Sequence, residues 1–416
     1  MMRRRTSLAA LAITAVVGLT VYAAGTLSGQ SWCGVTLDPS VGFTCLDLGV
    51  DVSYTLGGVA LGTDSLFLVP GLWVWQGFTA SGYLGGFGID GSLLLGGSPA
   101  AFLFAEAIAS LSLSGIDFAL HAAQLGAAVH GGPANGAAIR LAGSLGACDV
   151  VSTTEFGVQI EDEDFGGISI VHAATGRARH YLSDPRGANE GFTGQKVRVS
   201  HTGFCHGGEA TATAYLRCGA FEYASLRLED LSLANLAWLA VDAEFMLKVQ
   251  SKSVIVSPKL VLGDSACLQL YAGPVPTASG TGVDSVRIYG LELTCEIGRV
   301  TLRDVTRFEP HEVGLTTEPY GSRLLLVREI LAKGLDYYPD YWQLLSVSYG
   351  GEGCCDGTYG LLVNSYFDTA STTLFDWAML HAEATVPLGD SISLGLGLEI
   401  GPVGVIHLQC SCTMEW

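Results

Sequence analysis

Regular alternation of apolar with small or polar side chains is the feature that most limits how this chain can fold. Residues 46–54, 241–249 and 392–400 place an apolar side chain at almost every second position. Because successive side chains of a β-strand point to opposite faces, each run is predicted to be a strand with one apolar and one polar face. Glycine, proline and aspartate clusters, such as residues 96–99 and 184–187, separate the runs and predict turns. The sequence therefore predicts an all-β protein.

Two stretches depart from this pattern. Residues 324–333 (LLLVREILAK) predict one short helix. Residues 65–105 carry a single charged side chain, Asp90, and could be drawn as a membrane helix. Pro70, Pro99 and the many glycines argue against that helix, because a lipid-exposed helix must satisfy its backbone groups internally. We therefore predict apolar strands in this stretch.

The composition limits the surroundings of the chain. Charged residues make up only 15%, glycine contributes 55 of the 416 residues, and the mean hydropathy is +0.39. A soluble domain normally has a more charged exterior, so much apolar surface must face something other than water. The 40 acidic residues against 21 basic ones give a net charge of −19, without a basic stripe. Such a chain repels phosphate backbones, and nucleic acid is not an expected partner.

The N-terminus predicts export. Arg3, Arg4 and Arg5 precede an apolar run from Leu8 to Ala24 that ends in small residues. This order is typical of a secretory signal peptide, and we assign residues 1–24 to one. The alternative is an uncleaved membrane anchor, since the run is nearly long enough to span a bilayer. Cys33 lacks the small-residue box of a lipoprotein, so no lipid attachment is expected there.

Eleven cysteines are present, an odd number, so at least one is left without a partner inside the chain. They show no zinc-type spacing, and we expect some disulfides together with several buried thiols. We assign no catalytic, cofactor-binding or metal-binding residues and expect no enzyme activity. The G-x-S-x-G, P-loop, HExxH and dinucleotide motifs are absent from the sequence.

The last residues of the chain alternate strictly and finish on an aromatic side chain. Polar residues from His407 to Glu415 occupy one face of this predicted strand. The other face carries Ile406, Leu408, Cys410, Cys412, Met414 and Trp416. In this the chain resembles bacterial outer-membrane β-barrel proteins of the porin type. The resemblance implies that the strand is read by the barrel-assembly machinery and then closes the barrel. The two cysteines on the apolar face and the high hydropathy depart from the family pattern.

We therefore predict a large antiparallel β-barrel of roughly 14–18 strands in the outer membrane, with the lipid bilayer as its partner. Its activity is not assigned by the sequence: it is a passive pore or a structural envelope protein. An open acidic lumen would favour cations. The alternative is a multi-sheet β-sandwich repeat protein, secreted or surface-attached in the extracellular space or periplasm, acting in coat assembly or adhesion.

Weak internal repeats span residues 111–230, 231–371 and, in part, 372–416. They begin with the related segments LSLSGIDFALHAA, LSLANLAWLAVDA and TTLFDWAMLHAEA. No low-complexity linker separates them, so residues 25–416 are treated as a single barrel-like region. The sequence leaves the oligomeric state open.

Overall fold

The fold is described from a computed structural model of the chain. It covers residues 26–415 except for 39–41, 57, 69–71, 85, 98–100, 131–132, 161–166, 172–177, 186–190, 205–207, 233–235, 237, 250–251, 264, 277–281, 308–342, 353–357, 369–375, 390 and 403. The predicted signal peptide, the predicted helix at 324–333 and Trp416 lie outside the described residues. No helix in the part of the chain described here is long and apolar enough to cross a membrane.

Twenty-two strands form one sheet. Its first half comprises β1 (Thr26–Asp38), β2 (Gly42–Leu56), β3 (Val59–Leu68), β4 (Leu72–Leu84), β5 (Phe87–Gly96), β6 (Ala101–Leu113), β7 (Ile116–Leu125), β8 (Ala134–Leu145) and β9 (Cys148–Phe156). Its second half comprises β14 (Gly194–Phe204), β15 (Gly208–Arg217), β16 (Ala220–Ser232), β17 (Leu239–Lys248), β18 (Lys252–Val261), β19 (Ala266–Pro276), β20 (Val283–Ile297), β21 (Val300–Arg307), β22 (Gln343–Glu352), β23 (Thr358–Asp368), β24 (Asp376–Gly389), β25 (Ile392–Gly401) and β26 (Gly404–Glu415).

Each of these strands pairs antiparallel with the next one along the chain, and β9 pairs with β14 across an intervening segment. The final strand β26 then pairs with β1, so the sheet closes on itself. The prediction of a large antiparallel barrel is confirmed, and the alternative of stacked sheets is wrong. The predicted number of 14–18 strands is also wrong. Many hairpins need only two turn residues, so the same chain length accommodates 22 strands.

Two-residue turns are possible because small residues accept a left-handed backbone. Ser114 and Gly115 join β6 to β7 with φ values of 52° and 82°, and Cys218 and Gly219 join β15 to β16 with 50° and 79°. Positive φ at both central residues is the signature of a type I′ turn, whose twist matches that of the flanking strands. Residues 65–105, the uncertain stretch in the sequence, contain parts of β3, β4, β5 and β6, as predicted.

The two faces of the closed sheet differ sharply in exposure. One face carries polar side chains such as Asp242, Glu292 and Asn364, whose exposed fractions are only 3%, 2% and 0%. The other carries large apolar side chains such as Leu293 and Leu396, which are 39% and 50% exposed. The polar face is the inner one, because a chain segment inside the barrel contacts β3, β6 and β8 on that face. The outer wall is therefore apolar.

The segment between β9 and β14 does not belong to the wall. It contains four short strands: β10 (Val158–Ile160), β11 (Ile168–Val171), β12 (Ala178–Tyr181) and β13 (Ser183–Pro185). Strand β10 pairs with β13, and β11 pairs with β12. We call residues 157–193 the inner segment. One short helix, α1 (Ala127–His130), precedes β8.

The expectation that several cysteines are buried is not met among the described residues. Cys218, Cys410 and Cys412 are exposed, and Cys33, Cys148 and Cys295 are half-buried, all with free thiols. The reason is that Cys33, Cys295, Cys410 and Cys412 alternate with inward-facing residues and so lie on the outer wall. Side chains on the outer wall are therefore exposed or half-buried and are not packed against a second layer of the protein.

Candidate functional site in the barrel lumen

The wall formed by β2 to β9 is rich in inward-facing acids. The alternation and the pairing register place these carboxylates on the inner face: Asp47, Asp51, Asp64, Asp90, Glu106, Asp117, Asp149 and Glu155. The sequence contains only one Lys or Arg between residues 26 and 156, which is Arg140. This side of the lumen, which we call the acidic wall, therefore carries a strong excess of negative charge.

The inner segment supplies a cation to the acidic wall. Arg179 forms an ion pair with Asp64, and its Nε donates a hydrogen bond of 2.9 Å to Asp64 Oδ2. Asp64 lies directly opposite Asp51 in the pairing of β2 with β3. Like charges directly opposite each other destabilise a sheet, so the guanidinium of Arg179 offsets a repulsion built into the wall.

A glycine makes room for this ion pair. A Cβ atom at Gly77 would stand 2.0 Å from Asp64 Oδ1 and 2.9 Å from the Arg179 Nη2 atom. Gly77 faces inward on β4, opposite Asp64. The absence of a side chain at this position leaves the space that the carboxylate and the guanidinium occupy.

Two further contacts fix the inner segment. The backbone N–H of Ser183 donates a 2.7 Å hydrogen bond to Glu106 Oε2. The rings of Tyr181 and Phe104 have centroids 4.2 Å apart. Burial raises the pKa of Tyr181 to about 12; the positive charge of Arg179 opposes this shift, and the negative charge of Glu106 adds a smaller increase. The phenol thus stays neutral in a buried contact between the segment and the wall.

An apolar cluster inside the barrel surrounds these contacts. It joins inward side chains of the acidic wall to residues of the inner segment. Its members are Leu66, Val74, Trp75, Leu94, Phe104, Ala123, Leu125, Ala134, Ala138, Val158, Ile160, Ile170 and Tyr181. Burying this surface stabilises the segment against one side of the lumen. The segment therefore narrows the space enclosed by the barrel.

The opposite side of the lumen, formed by β15 to β24, holds several of its acids in ion pairs within the wall; we call it the paired wall. Glu292 on β20 accepts a 2.6 Å hydrogen bond from Arg303 Nε on β21, and the Tyr271 hydroxyl donates to its other oxygen at 3.3 Å. Glu292 and Arg303 are exposed by only 2% and 6%. A buried carboxylate needs such a partner, because an unpaired charge away from water is costly.

A second pair on this wall involves Asp242, which the sequence places on a polar strand face together with Glu244. Lys259 Nζ lies 2.7 Å from Asp242 Oδ2 and 3.0 Å from Asp230 Oδ1. Gln269 Nε2 donates to Asp242 at 3.1 Å. Both Asp242 and Glu244 are buried on the inner face.

A histidine cluster lies farther along the same wall. His381 Nε2 is 3.0 Å from Glu383 Oε1, and its Nδ1 is 3.5 Å from Glu399 Oε1. These three side chains share the inner face of β24 and β25. Among the described residues, no group of three or more His, Cys, Asp or Glu side chains is arranged to hold a metal ion.

The residues singled out at the end of the chain lie on the closing strand β26. Leu408, Cys410, Cys412 and Met414 occupy alternate outward positions, and Leu408 and Cys412 oppose Leu37 and Cys33 of β1. The side chain of Ile406, like Trp416, lies outside the described residues. Recognition of this strand by an assembly machinery stays a prediction.

The inner segment was not predicted from the sequence. Its residues 184–187 predict an ordinary hairpin turn, and the acidic run at 161–164 lies outside the described residues. The available signal was the distance between two alternating strands: β9 ends at Phe156 and β14 begins at Gly194. A connection of this length is far longer than a hairpin needs.

Comparisons with known proteins add little beyond the fold. No family model matches the chain, and no curated protein matches it. Among solved structures, the chain is similar to a mutant of the Rh. blastica porin, with 9% identity, a TM-score of 0.32, and 94% of this chain and 100% of that chain covered. It is also similar to OpdO of Pseudomonas aeruginosa, with 8% identity, a TM-score of 0.36, and 94% and 96% covered. The resemblance to porin-type barrels is confirmed at the level of the fold by the strand pairings themselves.

Proposed function

We propose that this protein is an outer-membrane pore whose acidic lumen favours the passage of cations. One observation carries the proposal: a single closed sheet has an exposed apolar exterior and a charged interior. Exposure of an apolar wall of this extent to water is unfavourable, whereas contact with bilayer hydrocarbon is favourable. A closed sheet is also the only kind of sheet that leaves no unpaired backbone groups in lipid.

The strand lengths support a transmembrane position. The barrel strands contain 8 to 15 residues, and a tilted strand needs about 9–11 residues to cross the hydrocarbon core. The predicted export signal at residues 1–24 supports a location in the cell envelope. Together these features favour insertion into the outer membrane over secretion.

The preference for cations follows from the asymmetry of the lumen. The paired wall holds acids such as Glu292 and Asp242 in ion pairs within the sheet. The strands of the acidic wall carry one Lys or Arg, Arg140, and among the described residues of the inner segment Arg179 adds a second positive charge. Asp90, Asp117 and Asp149 are exposed on the inner face near the ends of β5, β7 and β9 that join the short turns. Rings of carboxylates near a pore mouth raise the local cation concentration.

The proposal is tested in two steps. The protein is extracted from membranes with detergent and compared on gels with and without boiling, and we expect a heat-dependent change in migration. It is then inserted into planar bilayers under a KCl gradient, where we expect ion conductance with a reversal potential of the sign set by K⁺. Release from membranes by salt alone, or a bilayer that stays non-conducting, would contradict the proposal.

A further inference from the structure

The seam between β1 and β26 brings two cysteines together. Cys33 is the register partner of Cys412 in the antiparallel pairing that closes the barrel. Residues directly opposite each other lie on the same face of a sheet, and for this pair that face is the outer wall. Both thiols are free; Cys412 is exposed and Cys33 is half-buried. The first and last strands therefore present two thiols side by side.

The register fits the geometry of a disulfide. Directly opposed residues in an antiparallel pair have Cα atoms about 4.5–5.5 Å apart, and disulfides join Cα atoms about 4.4–6.8 Å apart. The Cβ atoms of such a pair are about 4.5–5.5 Å apart, against about 3.5–4.5 Å in a disulfide. A local movement of about 1 Å or less closes this gap.

The register also selects the partner. Cys410 opposes Val35 and is diagonal to Cys33, at a distance of about 7–8 Å between Cα atoms, which is too long for a disulfide. Cys267 and Cys295 lie on the paired strands β19 and β20, but Cys267 opposes Thr294 and Cys295 opposes Ala266. Since neighbouring strand positions face opposite sides, these two cysteines cannot be joined.

We propose that Cys33 and Cys412 form a disulfide that locks the barrel seam covalently. The oxidant is a disulfide of a small thiol or of an envelope oxidoreductase. The thiolate of one cysteine attacks the oxidant, whose S–S bond breaks to release one thiol and leave a mixed disulfide. The second cysteine, as a thiolate, attacks the protein sulfur of that intermediate and releases the second thiol. The two cysteines lose two electrons and two protons, and the oxidant takes them up as two thiols.

The linkage acts where the barrel has no other covalent support. Elsewhere in the wall, paired neighbours are consecutive strands of the chain, or in the case of β9 and β14 are linked through the inner segment. Strands β1 and β26 are joined only by pairing, because they come from the two ends of the barrel. The disulfide closes residues 33–412 into a ring and prevents the seam from opening. This inference is independent of whether the barrel conducts ions.

The test uses the wild-type protein isolated from membranes in the presence of an alkylating agent that caps free thiols. After unfolding without reductant, cleavage at acidic residues releases one short peptide ending at Asp38 and another ending at Glu415. We expect mass spectrometry to find these two peptides joined, with the bond at Cys412. Capped thiols at both Cys33 and Cys412, or a bond from Cys33 to Cys410, would overturn the proposal.

Gel migration of the unfolded chain gives a second readout that does not depend on refolding. A chain closed into a ring is more compact, so the non-reduced protein should migrate faster than the reduced protein. The variants Cys33→Ser and Cys412→Ser should each abolish this shift, whereas the matched variant Cys410→Ser on the same face of β26 should retain it. Loss of the shift in Cys410→Ser with retention in Cys412→Ser would also overturn the proposal.

Discussion

The acidic wall and the paired wall solve the same problem, inward-facing carboxylates in a closed sheet, in different ways. On the paired wall, β15 to β24 provide cations within the sheet, such as Arg303 for Glu292 and Lys259 for Asp242. On the acidic wall, the main cation comes from outside the sheet, as Arg179 of the inner segment. The comparison indicates that one wall is built for stability, while the other leaves its charge available to ions in the lumen.

The largest effect is expected on the paired wall. The variant Arg303→Met leaves Glu292 buried without its guanidinium, and removal of one partner of a buried ion pair costs about 3–5 kcal/mol. We expect a correspondingly lower midpoint of denaturant unfolding in detergent. The double variant Arg303→Met/Glu292→Met should recover most of the loss, because apolar residues of similar volume can replace a buried pair. An unchanged midpoint in the single variant would show that this wall does not depend on its internal pairing.

A smaller loss of stability, with a clear change in conductance, is expected at Arg179. Its ion pair with Asp64 is partly exposed, so Arg179→Met should cost on the order of 1–3 kcal/mol. The inner segment loses its anchor to β3, and we expect a higher single-channel conductance. The matched control is Arg140→Met, which removes a positive charge from the acidic wall and leaves the anchor intact. Equal conductance changes in both variants would mean that the loss of a positive charge, and not the loss of the anchor, changes the conductance.

Gly77→Ala tests the same anchor without a change of charge. The added Cβ would meet Asp64 Oδ1 and displace the ion pair, so we expect a weaker form of the Arg179→Met conductance change. Gly91→Ala on β5 is the control, because the nearest atom to its Cβ would be 3.6 Å away, an ordinary contact. If both alanine variants conduct like the wild type, the wall can accommodate the pair in another arrangement.

The smallest effect on stability is expected for Asp90→Asn, Asp117→Asn and Asp149→Asn combined. These side chains are exposed, and surface substitutions usually change stability by less than about 0.5 kcal/mol. The preference for cations should fall, which shifts the reversal potential towards zero under a KCl gradient. A reversal potential equal to that of the wild type would locate the selectivity elsewhere in the lumen.

The local pattern of the sequence predicted the strands of the wall but did not predict the inner segment that lies within the barrel. Alternation alone identified strands such as β17 and β25 and placed Asp242 on a polar face, because the period of a strand is a local property. The number of strands could not be read in the same way, since a two-residue turn such as Ser114-Gly115 is easily absorbed into a longer apolar run. The pairing of Arg179 with Asp64 spans 115 residues and leaves no local pattern. The internal repeats stay a prediction.

Fluorescence quenching from the lipid and from the aqueous phase shows which face of the wall contacts lipid. In a cysteine-free variant reconstituted in lipid vesicles, a fluorophore is attached either at Leu394→Cys, on the outer face of β25, or at Ser393→Cys, the adjacent inward position. We expect a lipid-bound quencher to dim the label at 394 and the neutral aqueous quencher acrylamide to dim the label at 393. Equal quenching of both labels by acrylamide would place the apolar wall in water and contradict the membrane barrel.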